Sequence, residues 1–444
     1  MPGMLGKLKS PLARSIMPIV ALLVTLAAVA AAAAPARATA LDDYIAIPDS
    51  SYSWSTAGKS PLSGGVTLYQ LDLASQTWQG ILWQHRLLVA VPSGGPQRKA
   101  VLMYITGSES DPEEQVFLGM LSRLLCAPVA ILYDIPNQPL YGGLREDALV
   151  SYTFAKFLET GDATWPLLFP MVKGAVRAMD AISEFAARDL RWSTDGFVVF
   201  GASKRGWTTW LAAAVDQRVR AIAPIAYDNL SLAEQMAHQE RRFGAYSEMI
   251  SDYTDRGLQA MLQTAQGRVL ADMVDPYFYK DRYNLPKLII RGSNDPYWPV
   301  DAMQLYIHDL PGDTWLHIDP NAGHGLANYE RVLTTLGGLY LHAVGSLSLR
   351  PVHTTFSEGQ DSVTLTVKSA TPSVAVNLWQ AQDTTPDFRE ARWEYQAAGP
   401  GSNQTITISR PPEGFTAVYG EIVYRILGAD VVLNTPVYVI EAGR

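Results

Sequence analysis

Along the first three quarters of the chain, short continuous apolar runs alternate with stretches of helical spacing. The runs Leu82–Val91, Ala100–Ile105, Val129–Tyr133, Phe197–Phe200, Ala221–Ala226, Lys287–Arg291 and Thr314–Ile318 have strand length. Several are apolar at nearly every position rather than every second one, as expected of strands covered on both faces. Leu82–Val91 is more mixed and is expected at an antiparallel edge. Between the runs, Glu113–Leu125, Glu146–Glu159, Pro170–Ala187, Lys204–Asp216 and Pro299–His308 repeat their apolar residues at helical intervals, and a helix over Leu326–Leu341 closes this part. Strand and helix in alternation predict an α/β fold, a mostly parallel sheet with helices on both faces.

Two regions break the rhythm. Residues 229–285 are charged and helical without a strand, and are expected to form a helical cap over the carboxyl ends of the strands. From about Leu347 onward, Ser362–Val367, Ser373–Leu378, Thr405–Ile408, Ala417–Ile426 and Val431–Ile440 are β-rich and separated by Gly, Pro, Asp and Ser. They predict a C-terminal antiparallel β-sandwich over 347–444, beside an α/β domain over 41–346.

Composition narrows the function. Of 444 residues, 48% are hydrophobic and 18% charged, too apolar for a disordered chain and enough for a large core. The formal charge of −8, with no basic run, argues against nucleic acid or anionic lipid as partner. A single cysteine, Cys126, rules out an intramolecular disulfide and any multi-thiolate zinc site. Lys7, Lys9 and Arg14 precede an apolar run from Ile16 to Ala34 and a small-residue end at Ala38-Thr39-Ala40. This is the layout of a signal peptide over 1–40, so a secreted or periplasmic protein with no stable membrane anchor after cleavage is expected.

The stretch with most chemical content is Phe197-Val-Val-Phe-Gly-Ala-Ser-Lys-Arg-Gly-Trp207, an apolar strand that turns at Ser203 directly into a helix. A serine on such a turn is held clear of the sheet at a helix N-terminus, whose amides favour developing negative charge. The usual second glycine, two residues after the serine, is Arg205 here, and glycine follows at Gly206. A serine that merely N-caps a core helix fits the turn alone equally well. In sheet enzymes with this elbow the order is serine, acid, histidine. Asp295 follows the strand Leu288–Arg291, and His324 sits between glycines after Thr314–Ile318. Both leave carboxyl ends of strands, where ligands bind in open α/β sheets. Ser203, Asp295 and His324 are therefore the candidate catalytic triad, with Asp319 the main competitor for the acid and Glu113 and Asp134 requiring another chain order. His317 and His308 lie within a strand and a helix and are poorer bases. The candidate oxyanion donors are the amide of Lys204 and an amide at Gly107 or Ser108, in the loop after Ala100–Ile105.

At these residues the chain resembles the PhoPQ-activated pathogenicity-related family. The shared motifs are Gly201-Ala-Ser-Lys-Arg-Gly-Trp207, Asp134-Ile-Pro-Asn-Gln-Pro139, Asn294-Asp-Pro-Tyr-Trp-Pro-Val300 and Pro320-Asn-Ala-Gly-His-Gly325, with Leu378-Trp-Gln-Ala and Pro386-Asp-Phe-Arg389 in the tail. The resemblance implies an exported protein of the α/β-hydrolase type, accounts for the Ser-Lys-Arg-Gly form of the elbow, and supports Ser203, Asp295 and His324 position by position. It implies no substrate.

Around the site, Arg205 reads as an ion-pair partner that holds the turn. Tyr297, Trp298, Asn137 and Tyr141 are candidate substrate contacts, while Asp134 and Gln138 share the Asn137 turn. Trp207 and Trp210 read as core. In the cap, Glu240, Arg241, Arg242 and Tyr246 are candidates for selectivity. No phosphate loop, dinucleotide fingerprint or metal-binding histidine pair occurs, and no cofactor is expected. The sequence thus predicts a secreted serine hydrolase acting on a small-molecule or peptide substrate through an ester or amide carbonyl. Two alternatives stay open: a short-peptide peptidase, and a catalytically silent binding or signalling factor whose β domain contacts a protein partner.

Overall fold

The computed structural model of the protein describes residues 38–107 and 112–443. The expected signal segment therefore lies almost wholly outside the described residues. Of it, Ala38, Thr39 and Ala40 are described, and Thr39 caps the first helix, α1 (Ala40–Ala46), through a reciprocal pair of bonds with Asp42. Among the described residues no helix is long and apolar enough to cross a membrane.

Three antiparallel strands come first: β1 (Ser53–Leu62), β2 (Val66–Trp78) and β3 (Ile81–Pro92). The α/β portion follows as β4 (Val101–Ile105), α2 (Pro112–Leu125), β5 (Val129–Leu132), α3 (Glu146–Thr160), α4 (Leu168–Asp189), β6 (Phe197–Ala202), α5 (Lys204–Val215) and β7 (Val219–Ile225). A helical excursion containing α6 (Leu232–Phe243) and α7 (Ala265–Val274) leads to β8 (Lys287–Gly292), β9 (Thr314–Asp319) and α8 (Tyr329–Ala343). Strands run in the order β1-β2-β3-β5-β4-β6-β7-β8-β9, with β5 through β9 parallel. This is the α/β-hydrolase type of fold, a mostly parallel sheet with an antiparallel flank and a helical cap.

The central strands are buried at essentially every position, which is why they read as unbroken apolar runs. Their side chains feed two apolar clusters, one on each face of the sheet. At about 1.5–3 kcal/mol per fully buried aliphatic side chain, this layer fixes where every strand end falls.

Several elements differ from expectation. The strand at Leu82–Val91 is antiparallel to both neighbours but is not an edge, because β1 and β2 lie outside it. β1 escapes the pattern because it is largely exposed, with Gly58 and Pro61 in it, so no core face marks it. Pro299–His308 is not a helix but two 3-10 turns, Ala302–Leu305 and Ile307–Asp309, pinned over the acid loop described below.

The tail comprises β10 (Val352–Glu358), β11 (Ser362–Asp383), β12 (Glu394–Ser409), β13 (Phe415–Ile426), β14 (Ala429–Asn434) and β15 (Tyr438–Glu441), all antiparallel. The runs 362–367 and 373–378 are one long strand whose pairing shifts between Lys368 and Val376. Its second half pairs Leu378 with Gly420, while Leu365 and Val367 of its first half stand over Gly420, so the strand folds into two layers. The expected break at residue 346 is not a break in the sheet: β14 pairs with β9 at Asn434 and Leu316, and one apolar cluster runs through both parts.

Candidate active site

The elbow is built by close backbone packing. A Cβ on Gly201 would lie 2.7 Å from the carbonyl of Arg205, and one on Gly206 would lie 2.8 Å from the carbonyl of Ile225. The glycine displaced by one position is thus the residue that lets α5 press on the end of β7. Ser203 has φ 57° and ψ −123°, a strained conformation for a residue with a side chain. Its amide donates to Ile225 O at 2.8 Å, which holds the turn. Its hydroxyl makes no capping bond to α5.

That hydroxyl meets His324 instead. Ser203 Oγ is 2.9 Å from His324 Nε2, and His324 Nδ1 is 2.9 and 3.1 Å from the two oxygens of Asp295. With Nδ1–H donating to the carboxylate, Nε2 is left as the acceptor for the serine proton. Asp295 is 2% exposed and also accepts the Tyr297 amide at 2.9 Å. The Tyr297 ring covers the imidazole, with centroids 4.2 Å apart. Asp319 accepts the amides of Ala327 and Asn328 and thereby orders the loop into α8. His317 is buried against Val432 O, and burial lowers its pKa.

The acid loop is anchored from three sides. Beneath it, Arg291 pairs with Asp228 and donates to the carbonyls of Pro299 and Val300, with all of these groups buried. Burial raises the pKa of Asp228 despite that guanidinium. From the cap, α6 docks onto the loop through His238 and Arg242 to Asp301, at 2.7 and 2.5 Å, and Gln239 to Tyr297 O at 2.8 Å. From the tail, Asn294 Nδ2 donates to Phe388 O, Arg389 O and Ala391 O at 3.3, 3.0 and 2.7 Å. Asn321, on the histidine loop, exchanges bonds with the backbone of Trp393 at 3.0 and 2.8 Å.

Arg205 is an ion-pair partner, as expected. Its guanidinium grips Glu146 with two bonds of 2.6 and 2.7 Å, and its Nε donates to Ile135 O. Burial opposes ionisation of Glu146, but Arg205, Gln138 and Lys204 overcome it and hold the carboxyl at about 2. A Cβ on Gly107 would lie 2.8 Å from Arg205, so glycine there makes room for the guanidinium. Ser108 lies outside the described residues. The Lys204 ammonium is taken by Asp147 at 2.7 Å, which also accepts from Tyr253 at 2.8 Å and Tyr297 at 3.4 Å. Burial first, and then this carboxylate, push both tyrosine pKa values up.

Ser203 and His324 open into a cavity between the sheet and the cap. Tyr297, Trp298 and Lys204 line it; Asn137 and Tyr141 do not. Tyr141 instead packs with Trp78, Tyr152 and Trp165. The charged cap residues Glu240, Arg241 and Arg242 also stay out of it, and the cap contributes Leu232, Met236 and Leu258. Trp210 is core, whereas Trp207 is both core and cavity wall. Asp147, Phe154 and Tyr253 line the cavity too, and nothing local in the sequence marked them. Among the described residues no group of three or more His, Cys, Asp or Glu side chains is placed to hold a metal ion.

The family model described as PhoPQ-activated pathogenicity-related protein matches residues 41–389. The chain belongs to this family. Within reach of this PhoPQ-related chain is Autocrine proliferation repressor protein A of Dictyostelium discoideum, 32% identical over 426 residues, covering 87% of this chain and 86% of that protein. Among solved structures, an acetyl xylan esterase from Paenibacillus sp. R4 is 14% identical with a TM-score of 0.48, over 66% of this chain and 89% of that one. Acetyl xylan esterase 1 from Thermoanaerobacterium sp. JW/SL YS485 is 13% identical with the same TM-score of 0.48, over 68% and 91%. At that distance the likeness says nothing of substrate.

Proposed function

We propose that this PhoPQ-related protein is an exported serine hydrolase that cleaves an ester or amide carbonyl. One observation carries the reading: the strained Ser203 withholds its hydroxyl from the helix it begins and gives it to an imidazole already oriented by a buried carboxylate. In the reaction, His324 Nε2 takes the Ser203 proton as Oγ bonds to the substrate carbonyl carbon. The C–O or C–N bond to the leaving group breaks, and His324 returns the proton to that group. Water then repeats the sequence on the acyl-serine, releasing a carboxylic acid and freeing Ser203. Asp295 holds the ring of His324 in this orientation and stabilises the imidazolium. The amide of Lys204, at the N-terminus of α5, is the first candidate to meet the oxyanion, and the second donor comes from the loop after β4.

The name of the Dictyostelium relative favours a second reading, a silent signalling factor on a hydrolase scaffold. A complete hydrogen-bonded triad has no task in such a protein. The two readings separate on a panel of p-nitrophenyl esters and aminoacyl p-nitroanilides. The hydrolase reading expects turnover that Ser203→Ala lowers by about 10³-fold or more. Turnover of anilides above esters would make the protein a peptidase; no turnover of either class would leave the silent reading.

A further inference from the structure

The cavity beside Ser203 has a wall of one character. Phe154, Trp207, Leu232, Met236, Leu258 and Val274 contribute aromatic and aliphatic surface from α3, α5, the cap helices and the segment between them. The charged groups in the wall are Lys204 and Asp147, and each satisfies the other at 2.7 Å, with two tyrosine hydroxyls completing the carboxylate. Glu146, beside them, is committed to Arg205 and Gln138. A substrate cation would have to displace Lys204 from Asp147, and a substrate anion would have to displace Asp147 from Lys204. Either exchange strips a buried charge of its partner. Tyr227, Asn229, Thr254 and Gln259 supply the other polar groups of the wall, and all are uncharged.

We infer that the site takes carboxylic esters whose acyl part is an uncharged, apolar chain of medium length, seated between the sheet and the cap. The inference rests on the serine-hydrolase reading and adds the substrate class. The acyl side is the one assigned because the acyl group stays joined to Ser203 after the leaving group departs. Apolar contacts to it therefore act in both halves of the reaction, whereas contacts to the alcohol act in the first only. Met236 and Trp298 come from opposite sides, one from α6 and one from the acid loop, and share a small apolar cluster with Ile250 and Tyr253. Chain length is thus measured by the cap rather than by the sheet.

The test compares kcat/KM of the full chain on p-nitrophenyl acetate, butyrate and octanoate, and on the monoester of glutaric acid as an anionic match. Each acyl methylene buried is worth about fourfold, so seating about two or three of those added from acetate to octanoate is expected to raise kcat/KM about 10- to 100-fold, and kcat/KM is expected to fall for the glutarate. Met236→Trp, which fills the cavity from the cap, is expected to cut the octanoate-to-acetate ratio about tenfold. Leu262 lines the cavity from a different segment of the cap, just after Leu258–Met261, and Leu262→Trp carries the test if the first variant does not fold. Stoichiometric labelling of Ser203 by a small alkyl fluorophosphonate reports the triad separately. No labelling overturns the hydrolase reading; labelling with no preference for the longer acyl chain, or with a ratio untouched by the folded variant, overturns this inference alone.

Discussion

Ser203 is held by the α/β body alone, whereas Asp295 and His324 stand on loops that the β-rich tail reaches across to hold. The serine sits on backbone packed against β7 and on a helix clamped by Arg205 to Glu146 and Ile135, all between residues 135 and 225. The other two catalytic candidates depend on segments far along the chain. Asn294, next to Asp295, binds three tail carbonyls, and Asn321, three residues before His324, binds Trp393. Arg389 of the same tail segment pairs with Glu248 of the cap and covers the ring of Phe243 at 4.1 Å. The 386–393 segment therefore touches acid loop, base loop and cap together. The tail belongs to the machinery that sets the geometry of the site, and is more than an appended module. The match of the family to residues 41–389 extends into this segment.

The largest way to disturb this arrangement is from below. Arg291→Met leaves Asp228 buried without its cation and releases the carbonyls of the acid loop. Unfolding in urea is expected to show a loss of about 3–5 kcal/mol; an undiminished midpoint would mean that the pair does not hold the loop. Next come the tethers to the tail. Asn294→Ala and Asn321→Ala are each expected to lower kcat on the preferred ester about tenfold with little change in KM, because displacement of a catalytic group costs rate more than binding. Unchanged kcat in both would return the tail to a bystander. The smallest effect is on the serine side. Glu146 has its carboxyl pulled from a usual 4.5 to about 2, so the stability it lends is present above pH 4.5 and is lost as pH falls toward 2. The carboxylate is partly exposed, which limits the effect: Glu146→Gln is expected to cost about 1 kcal/mol at pH 7. The variant should also flatten the decline in thermal stability between pH 4.5 and 2. An identical acid limb in both proteins would contradict the assignment.

The same contrast explains what could be read from the sequence. The elbow is a local event, an apolar strand, a serine and a helix within eleven residues, and it was visible as such. Asp295 and His324 were legible because parallel strands end on one edge and the chain order is constrained, so two loop residues could be placed without knowing what holds them. The cap was legible as helices where a strand was due. The tethers were not, because Asn294 and Phe388 are 94 residues apart and asparagine in a loop has many local uses. Nor was the cavity wall: Phe154 and Leu232 belong to separate helices whose apolar faces look alike whether they meet core or an opening. Tyr141 and Asn137 were misplaced for the complementary reason, since a turn after a strand end can fold away from the site as readily as toward it. Gly107 stands in the sequence as a candidate oxyanion donor, whereas the group that occupies the space of its missing side chain is Arg205.

The central claim is that Ser203 is a nucleophile activated by His324. Intact-mass analysis of the full chain after exposure to a fluorophosphonate tests it most directly. One adduct per molecule is expected, mapped to Ser203, absent in Ser203→Ala and formed far more slowly in His324→Ala. An unmodified wild-type protein, or an adduct that persists in Ser203→Ala, would contradict it.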